Sequence, residues 1–454
     1  MAWSAGTSRQ MIDILHHSCL SVSYSSISNI LNSLADHSIM KAQKAALGPH
    51  GLAYDNVNLS TSIYVEQCPN AMSKVQSGTM GVIYELLNTR PEDMKLQPML
   101  DKFAKSSPLK MSDLCPSISA MKSYRHQTVV TVSKILIKYV EGFQRIQAAD
   151  ILQHPERRPL PKGYKTVFHP LRASTIEEAS VEGNLLVHDD IYTVQLKKST
   201  KDLNVYAIPT FNDQLTNARI RGAQQLRAKD ISSWERREIF QIAFGTFHLV
   251  MNFIWVILET HRGSMNQIGS LTHLFTVLEK TRLGAEHPDY HTLLAALMQV
   301  LDGLVLNMWR TECGYSSLKG YAQAEPTADM VFECAHRIVD KYTTPSLSFE
   351  PVDPKSPPKD LDGSTLSAAH EDSINDNIII LTRDLLYVAE LVNSVSTGDF
   401  GQVEDILPTI ACMFKGAGSN NYSTEILHLL FNIKEVWTPE FASVHLGCQI
   451  TFNY

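Results

Sequence analysis

Apolar positions near the start of the chain recur with helical spacing. Met11, Ile12, Ile14 and Leu15 form one apolar face, and a second face follows a serine-rich stretch at 21–26. Two helices joined in this way are typical of a small helix-turn-helix reader, whose serine-rich helix start would contact phosphates. They are also typical of a helical pair that packs on the body of the protein. We favour the packed pair.

Alternating apolar and polar residues predict strands in the first half of the chain. The run 52–59 alternates after a Gly-Pro-His-Gly breaker, and 78–84 is a second strand-like run. Further strands are predicted at 201–211, which contains Pro209, and at 239–247. The pattern therefore predicts a sheet built from the first half of the chain.

Longer periodic segments predict that helices form most of the remaining chain. Apolar positions recur at helical spacing over 129–140, and the apolar run 247–258 predicts a buried helix that is too short to span a bilayer. Residues 263–342 have a helical pattern throughout. Two more amphipathic helices are predicted at 378–395 and 422–433.

Composition indicates a globular intracellular protein with more than one lobe. The apolar content of 44% and the charged content of 19% are typical of a globular protein. At 454 residues the chain is too long to fold around a single simple hydrophobic core. Seven scattered cysteines argue for a reducing compartment, and the N-terminus lacks the pattern of a secretory signal. Residues 345–372 hold five prolines with serines and acids, which predicts an exposed, disordered linker.

Charge restricts how the protein would contact DNA. The formal net charge of −7 gives no global nucleic-acid signature, so any contact must use local patches. Basic residues outnumber acids at 154–172 and at 219–238. Each run is typical of a phosphate track and equally of a solvated helix face.

Three acidic residues occupy positions that suit a two-metal nuclease. Asp55 and Asp213 each close a strand-like run, and Glu425 lies on the inward stripe of a helix with Tyr422 and Leu429. Carboxylates that converge from different segments bind Mg²⁺ or Mn²⁺ for phosphodiester chemistry. The aspartates are equally suited to capping turns or helices, and Glu425 to pairing with an arginine. Spacing alone leaves both interpretations open.

A polar and aromatic stripe crosses the apolar helix that follows the last predicted strand. His248, Asn252, Trp255 and Glu259 are spaced by four, three and four residues, so they share one face. A histidine in this position could orient a phosphate or donate a proton near bound metal ions. Spacing alone favours the alternative, a histidine that is simply hydrogen-bonded in the core.

Several short stretches together carry a family resemblance that runs from about Gly6 to Trp437. They are the stretch 48–58, the stretch 213–216 with Arg219 and Arg221, the pair 247–248 followed by 258–261, the pair 376–377, and the block 414–428. With these stretches the chain resembles a large fungal family of proteins without an assigned function, which looks transposon-derived.

The resemblance implies a distant similarity to cut-and-paste transposases with a ribonuclease H-like core. In those enzymes two strand-end aspartates and a helix-borne glutamate hold the metal ions, roles that the resemblance gives to Asp55, Asp213 and Glu425. It makes His248 an auxiliary site residue, although Gly245 occupies the first position of that short motif. Water would then attack a DNA phosphodiester, and a strand 3′-hydroxyl would attack the target.

We therefore predict an α/β fold, predominantly helical, in which long helical insertions interrupt a ribonuclease H-like mixed sheet. The predicted segments are a helical N-terminal segment at 1–47, the first part of the core at 48–262 with a helical insertion near 100–150, a helical insertion at 263–344, the linker at 345–372, a helical return of the core with Glu425 at 373–437, and an atypical tail at 438–454.

The expected function is that of a transposase-derived, metal-dependent DNA strand-transfer or nuclease domain. The alternative is a non-catalytic remnant or scaffold that binds DNA or protein. Asn212 stands where the family is expected to have glycine, and the resemblance ends at Trp437, so a truncated, inactive copy is a further expectation. We expect a nuclear protein that is not secreted, with DNA as a partner, no membrane contact and a possible homo-oligomeric state.

Overall fold

The computed structural model describes residues 6–60, 75–280, 282–344 and 373–451. The chain folds into two compact units. The first unit comprises Met1–Ser107, Lys162–Gly245 and Phe431–Tyr454, and the second comprises Pro108–Pro161 and Thr246–Leu430. The predicted linker at 345–372 lies outside the described residues.

One mixed sheet forms the centre of the first unit. Its strands are β1 His50–Ser60, β2 Val75–Glu85, β3 Phe168–Pro170, β4 Ile208–Asn212 and β5 Phe240–Phe244. The strand order is β3-β2-β1-β4-β5. β2 pairs antiparallel with both β1 and β3, whereas β4 is parallel to β1 and to β5. The predicted α/β class is therefore confirmed.

Helices make up most of the remaining described chain. They are α1 Arg9–His17, α2 Tyr24–Ala45, α3 Gln97–Phe103, α4 Ile118–Tyr139, α5 Val181–Asp189, α6 Gln214–Leu226, α7 Thr246–His261, α8 Leu271–Val277, α9 Tyr290–Glu312, α10 Leu318–Gln323, α11 Ala328–Tyr342, α12 Ser373–Thr397, α13 Phe400–Gly416, α14 Asn420–Phe431 and α15 Pro439–Thr451. Short 3₁₀ segments lie at Pro91–Met94, Met111–Leu114, Gln144–Ile146, Asp150–Leu152 and Asp202–Asn204, and π-helical segments at Asp190–Gln195 and Asn432–Val436.

The long hairpin of β1 and β2 follows from the alternating pattern. The two strands pair from His50 with Glu85 to Ser60 with Val75, and they extend the runs predicted from the sequence at both ends. Gly78 is required by a close approach, since a Cβ there would lie 2.2 Å from the carbonyl oxygen of Ser174. This approach fixes the segment after β3 against the edge of β2.

The fourth strand is shorter than the sequence predicts. A strand was expected over 201–211, but Asp202–Asn204 forms a 3₁₀ turn and β4 begins only at Ile208. Pro209 pairs with β5, whereas pairing with β1 is present at Thr210 and Phe211. A proline without an N–H is tolerated in this central strand because the ladder on the β1 side has not begun there.

The C-terminal helix α15 is part of the core of the first unit. Phe441, His445 and Leu446 on this helix are fully buried. His445 Nε2 lies 3.0 Å from the carbonyl oxygen of Gln241, and Gln449 donates to the carbonyl of Phe244 at 2.9 Å. The segment that the sequence presents as an atypical tail therefore contains a helix that contacts β5.

The second unit is helical in its described part. Val132 and Leu136 on α4 are buried, and the carbonyl of Val132 accepts a hydrogen bond from the indole of Trp309 on α9 at 3.0 Å. Among the described residues, only α9 is long and apolar enough to cross a membrane. This is weak evidence, because 50% of its apolar window is buried, as in the core helix of a globular protein.

The described cysteines form no disulfide bonds with one another. They are Cys19, Cys115, Cys313, Cys334, Cys412 and Cys448. Burial raises the pKa of the Cys334 thiol to about 11, which makes it a weak nucleophile and a poor metal ligand at neutral pH.

Candidate functional site

Asp55 lies on β1 of the first unit, and Asp213 lies at the same level directly after the neighbouring strand β4. In the parallel pairing of β1 with β4, Ala53 is opposite Phe211, and each aspartate follows two residues later. Adjacent strands are about 4.8 Å apart, so the two backbones lie side by side here. The prediction that Asp55 closes its strand is wrong, because Asp55 pairs with Met80 and β1 continues to Ser60, whereas Asp213 directly follows β4. The Asp55 residue is exposed, and Asp213 is half-buried.

Asp213 also caps a helix. It is the N-cap residue of α6, and its Oδ1 accepts a hydrogen bond from the backbone N–H of Thr216 at 2.7 Å. Asp55 accepts one from the backbone N–H of Asn56, also at 2.7 Å. The capping alternative considered from the sequence therefore holds for Asp213. An N-cap uses one carboxyl oxygen, which leaves the second for another ligand.

The structure adds Glu178, which the sequence analysis missed, to this pair of acids. Glu178 precedes α5 and is only 1% exposed. Its Oε1 accepts a hydrogen bond from the hydroxyl of Thr216 at 3.0 Å, whereas its buried Oε2 has no hydrogen-bond partner among the described residues. Burial raises the pKa of Glu178 to about 7. Thr216 and Arg219 oppose this rise, and Asp213 and Asp55 add to it.

We call Asp55, Glu178 and Asp213 the acidic cluster. The three carboxyl groups are close enough to interact electrostatically, because both aspartates raise the pKa of Glu178. Within the described chain, however, no group of three or more His, Cys, Asp or Glu residues could hold a metal ion as placed. The cluster supplies the oxygen donors that Mg²⁺ and Mn²⁺ prefer, without forming a closed coordination shell.

A buried polar network fixes the segment that carries Glu178. The Tyr54 hydroxyl donates to Asn184 Oδ1 at 2.7 Å and lies 2.9 Å from His188 Nε2. Asn184 in turn donates to the carbonyl of Glu178 at 2.7 Å. Burial, with smaller contributions from Glu178 and Asp213, raises the pKa of Tyr54, so its hydroxyl stays protonated as a donor. β1 therefore positions Glu178 through α5.

The other two predicted site residues belong to the second unit. Glu425 on α14 is 2% exposed and lies between Tyr422 and Leu429 on the buried stripe, as the helical spacing predicts. His248 on α7 is half-buried, and its ring meets Phe247 edge-on at 5.6 Å. Their predicted roles beside bound metal ions stay predictions.

The polar stripe of α7 lies on the less buried side of that helix. Asn252 and Trp255 are half-buried and Glu259 is exposed, whereas the intervening apolar residues except the half-buried Met251 are buried. Asn252 donates to the carbonyl of His248 at 2.8 Å, and the Trp255 indole donates to the carbonyl of Pro288 at 3.2 Å. The four residues therefore share one side of α7, as their spacing predicts.

Many cations of the two basic runs are paired within the protein. In the second unit, Arg157 bonds Asp405 at 2.8 Å and Arg158 bonds Glu404 at 2.7 Å. In the first unit, the pairs are Arg172 with Asp36, Arg227 with Asp230, Arg236 with Glu238, and Arg237 with Asp189. These contacts favour a structural role for the paired arginines over a continuous phosphate track.

The protein is thus a mixed α/β protein with an acidic cluster beside the two parallel strands β1 and β4 of its sheet. Over residues 103–451 it matches the model of a family described as a family of unknown function (DUF6589), and the chain belongs to that family. The matched range begins after the stretch 48–58 and continues past Trp437 to include α15. No curated protein and no solved structure matches the chain.

Proposed function

We propose that this protein is a transposase-derived domain whose first unit carries out divalent-metal-dependent nuclease or strand-transfer chemistry on DNA. The observation that carries the proposal is that Asp55 on β1 and Asp213, directly after the adjacent parallel strand β4, lie at the same level, with the buried Glu178 beside them. Acidic residues on or directly after neighbouring strands can hold metal ions for phosphodiester chemistry because the sheet fixes their backbones.

The strand arrangement supports a ribonuclease H-like core as the finer description of the fold. In the order β3-β2-β1-β4-β5, the first three strands pair antiparallel, and β4 and β5 are added parallel to β1. Asp55 lies on the central strand of this order, and Asp213 directly follows the strand beside it.

Different residues of the chain would bind the metal ion and position the acidic side chains at such a site. Asp55 and the carboxyl oxygen of Asp213 that does not cap α6 would hold Mg²⁺ or Mn²⁺, which supplies Lewis-acid activation of water when bound. Thr216 and the Tyr54–Asn184 network hold Glu178 in place beside them. Chemistry on DNA would also require a nuclear location.

The alternative function is a non-catalytic remnant or scaffold that binds DNA or protein. Two observations favour it: Asp213 caps α6, and many arginines of both basic runs pair with carboxylates of the same unit. A helix cap needs no metal ion, and a paired arginine releases fewer counterions on binding to DNA.

A plasmid-nicking assay with the full chain distinguishes these functions. The wild-type protein is expected to nick supercoiled DNA with Mg²⁺ or Mn²⁺, and Asp55→Asn and Asp213→Asn to lose most of that activity. Glu92→Gln, an exposed acid of the first unit, is the matched control and should retain it. Metal-independent nicking, or equal activity in all four proteins, would refute the enzymatic proposal. Salt-sensitive DNA binding without nicking would favour the remnant.

A further inference from the structure

A cavity lies at the opposite end of β1 and β4 from the acidic cluster. It has a volume of about 320 Å³, at the lower end of the range for small-molecule sites. Residues at the starts of the two strands, His50 and Ile208, line it together with the buried Met94, Leu203 and Ala207. This cavity is therefore separate from the residues of the proposed nuclease site.

The polar part of the lining contains one half-buried cation. Lys198 is half-buried at the wall, and the described residues offer its ammonium group no ion pair. The imidazole of His50 is already engaged, with Nδ1 2.9 Å from the carbonyl of Gly48 and Nε2 3.1 Å from the Tyr192 hydroxyl. The other charged lining residue, Asp202, is exposed, so water solvates its carboxylate.

These features determine the chemistry of a complementary ligand. An ammonium group in apolar surroundings is stabilised by a nearby anion, because partial burial removes part of its hydration. Burial lowers the pKa of Lys198, and Asp202 only partly offsets this effect. The apolar walls favour a hydrophobic body, and the small volume limits its size.

We propose that this cavity binds a small organic carboxylate with an apolar body, whose carboxylate pairs with Lys198. The apolar body would lie against Met94, Leu203 and Ile208. The site is independent of the proposed function on DNA, since none of its lining residues belongs to the acidic cluster.

Isothermal titration of the full chain with three matched probes tests the proposal. Phenylacetate carries the apolar body and the carboxylate, phenethylamine replaces the anion with a cation, and benzyl alcohol is neutral. Phenylacetate should bind at least about tenfold more tightly than either of the others, because only it can pair with Lys198. Absence of phenylacetate binding at millimolar concentration, or equal binding of phenethylamine, would overturn the proposal.

Variants of the two charged residues complete the test. Lys198→Met should weaken phenylacetate binding by about tenfold or more, whereas Lys198→Arg keeps the charge and should stay within about threefold of wild type. Asp202→Asn is the matched control and should not weaken binding, since it removes a negative charge near the anion. Lys198→Gln serves if the methionine variant fails to fold. Unchanged affinity in a folded, uncharged Lys198 variant contradicts the proposed ion pair.

Discussion

The hydroxyl of Thr216 donates a hydrogen bond to Oε1 of Glu178 at 3.0 Å, while the backbone N–H of Thr216 donates to Asp213. One residue in the first turn of α6 therefore contacts two members of the acidic cluster. Glu178 is 1% exposed, and its other carboxyl oxygen has no hydrogen-bond partner among the described residues. The Thr216 hydroxyl therefore stabilises this buried carboxyl group by a hydrogen bond.

Replacing Thr216 with valine should destabilise the protein by about 1–3 kcal/mol, because the buried Glu178 loses its donor while the side-chain shape is kept. Chemical denaturation measures the free energy of unfolding. Thr216→Ser retains the hydroxyl and should recover most of the loss. If the serine and valine variants are equally unstable, the methyl packing of Thr216, and not its hydrogen bond, stabilises this region.

Asp213 is predicted to have separable roles as a helix cap and as a ligand. Asp213→Ala should cost about 1 kcal/mol of stability, whereas Asp213→Asn should cost only a few tenths because asparagine caps equally well. Both variants should lose metal-dependent nicking. Thermal unfolding and the nicking assay are compared on the same preparations, and a catalytically active Asp213→Asn variant would assign Asp213 to capping alone.

Gly183 is required near the start of α5. A Cβ at this position would lie 2.0 Å from the carbonyl oxygen of Glu177, so Gly183→Ala must displace the segment that carries Glu178. We expect a loss of about 1–3 kcal/mol in the free energy of unfolding, as in other overpacked sites.

The matched control for Gly183 is a second helical glycine of the same unit. A Cβ at Gly222 would meet only Val181 Cγ2 at 3.4 Å, an ordinary contact. Gly222→Ala on α6 should therefore stabilise the protein by about 0.5–1 kcal/mol. A similar loss in both variants would show that helix propensity and contact distance do not account for the difference.

Glu390 in the second unit is predicted to make stability fall as pH rises. The residue is fully buried, and burial raises its pKa from 4.5 to about 7, opposed by Thr131 and Lys134. Between these values the unfolded chain releases a proton that the folded protein retains, so up to about 3 kcal/mol is lost. Glu390→Gln should remove this loss. Denaturation below pH 4.5 and above pH 7 measures it.

The neighbouring His154 acts in the opposite direction and must be considered in the same experiment. Its Nδ1 lies 3.9 Å from Glu390 Oε2, and burial lowers its pKa to about 4, with Lys134 and His126 adding to the effect. His154 therefore makes stability rise with pH between about 4 and 6.5. The Glu390→Gln variant should keep this rise and show a smaller fall, because Glu178 also has a pKa raised to about 7 and contributes a fall of its own. A fall of unchanged size in the variant would exclude Glu390 as a source.

His445 is predicted to make the first unit sensitive to acid. Burial lowers its pKa to about 3, and its Nε2 lies beside the carbonyl of Gln241. The contribution of His445 to the free energy of unfolding is fully present above about pH 6.5. It falls toward pH 3 by up to about 1.4 kcal/mol per pH unit, because the unfolded chain binds a proton at a higher pH than the folded protein does. His445→Gln should reduce this slope in acid denaturation, while the exposed His37→Gln should leave it unchanged.

The local pattern of the chain predicted several elements with good accuracy. Alternation located β1 and β2 approximately, although burial along β1 does not alternate, since residues 50–54 are all buried and Asp55 and Asn56 are exposed. Helical spacing placed Tyr422, Glu425 and Leu429 on one buried stripe. These features depend on neighbours within a few residues, which periodicity records directly.

The acidic cluster could be predicted only in part. Asp55 and Asp213 follow strand-like runs, so the sequence pointed to them. Glu178 lies in an irregular segment before α5, and its nearness to Asp213 depends on how α5 and α6 pack beside the sheet. The glycine at position 183 was a usable signal, since a glycine near a helix start often marks a close backbone approach.

By itself, the sequence determined the type and approximate position of most helices and strands, because these properties are set by residues close in the chain. It did not fix the strand bounds, since β1 continues past Asp55 to Ser60 and β4 begins only at Ile208. Only the tertiary structure decided that Ala53 lies opposite Phe211, that Glu178 joins Asp55 and Asp213, and that α15 contacts β5. Those contacts join residues far apart in sequence, and they are fixed by parallel register, burial and hydrogen bonding, none of which leaves a periodic trace in the chain.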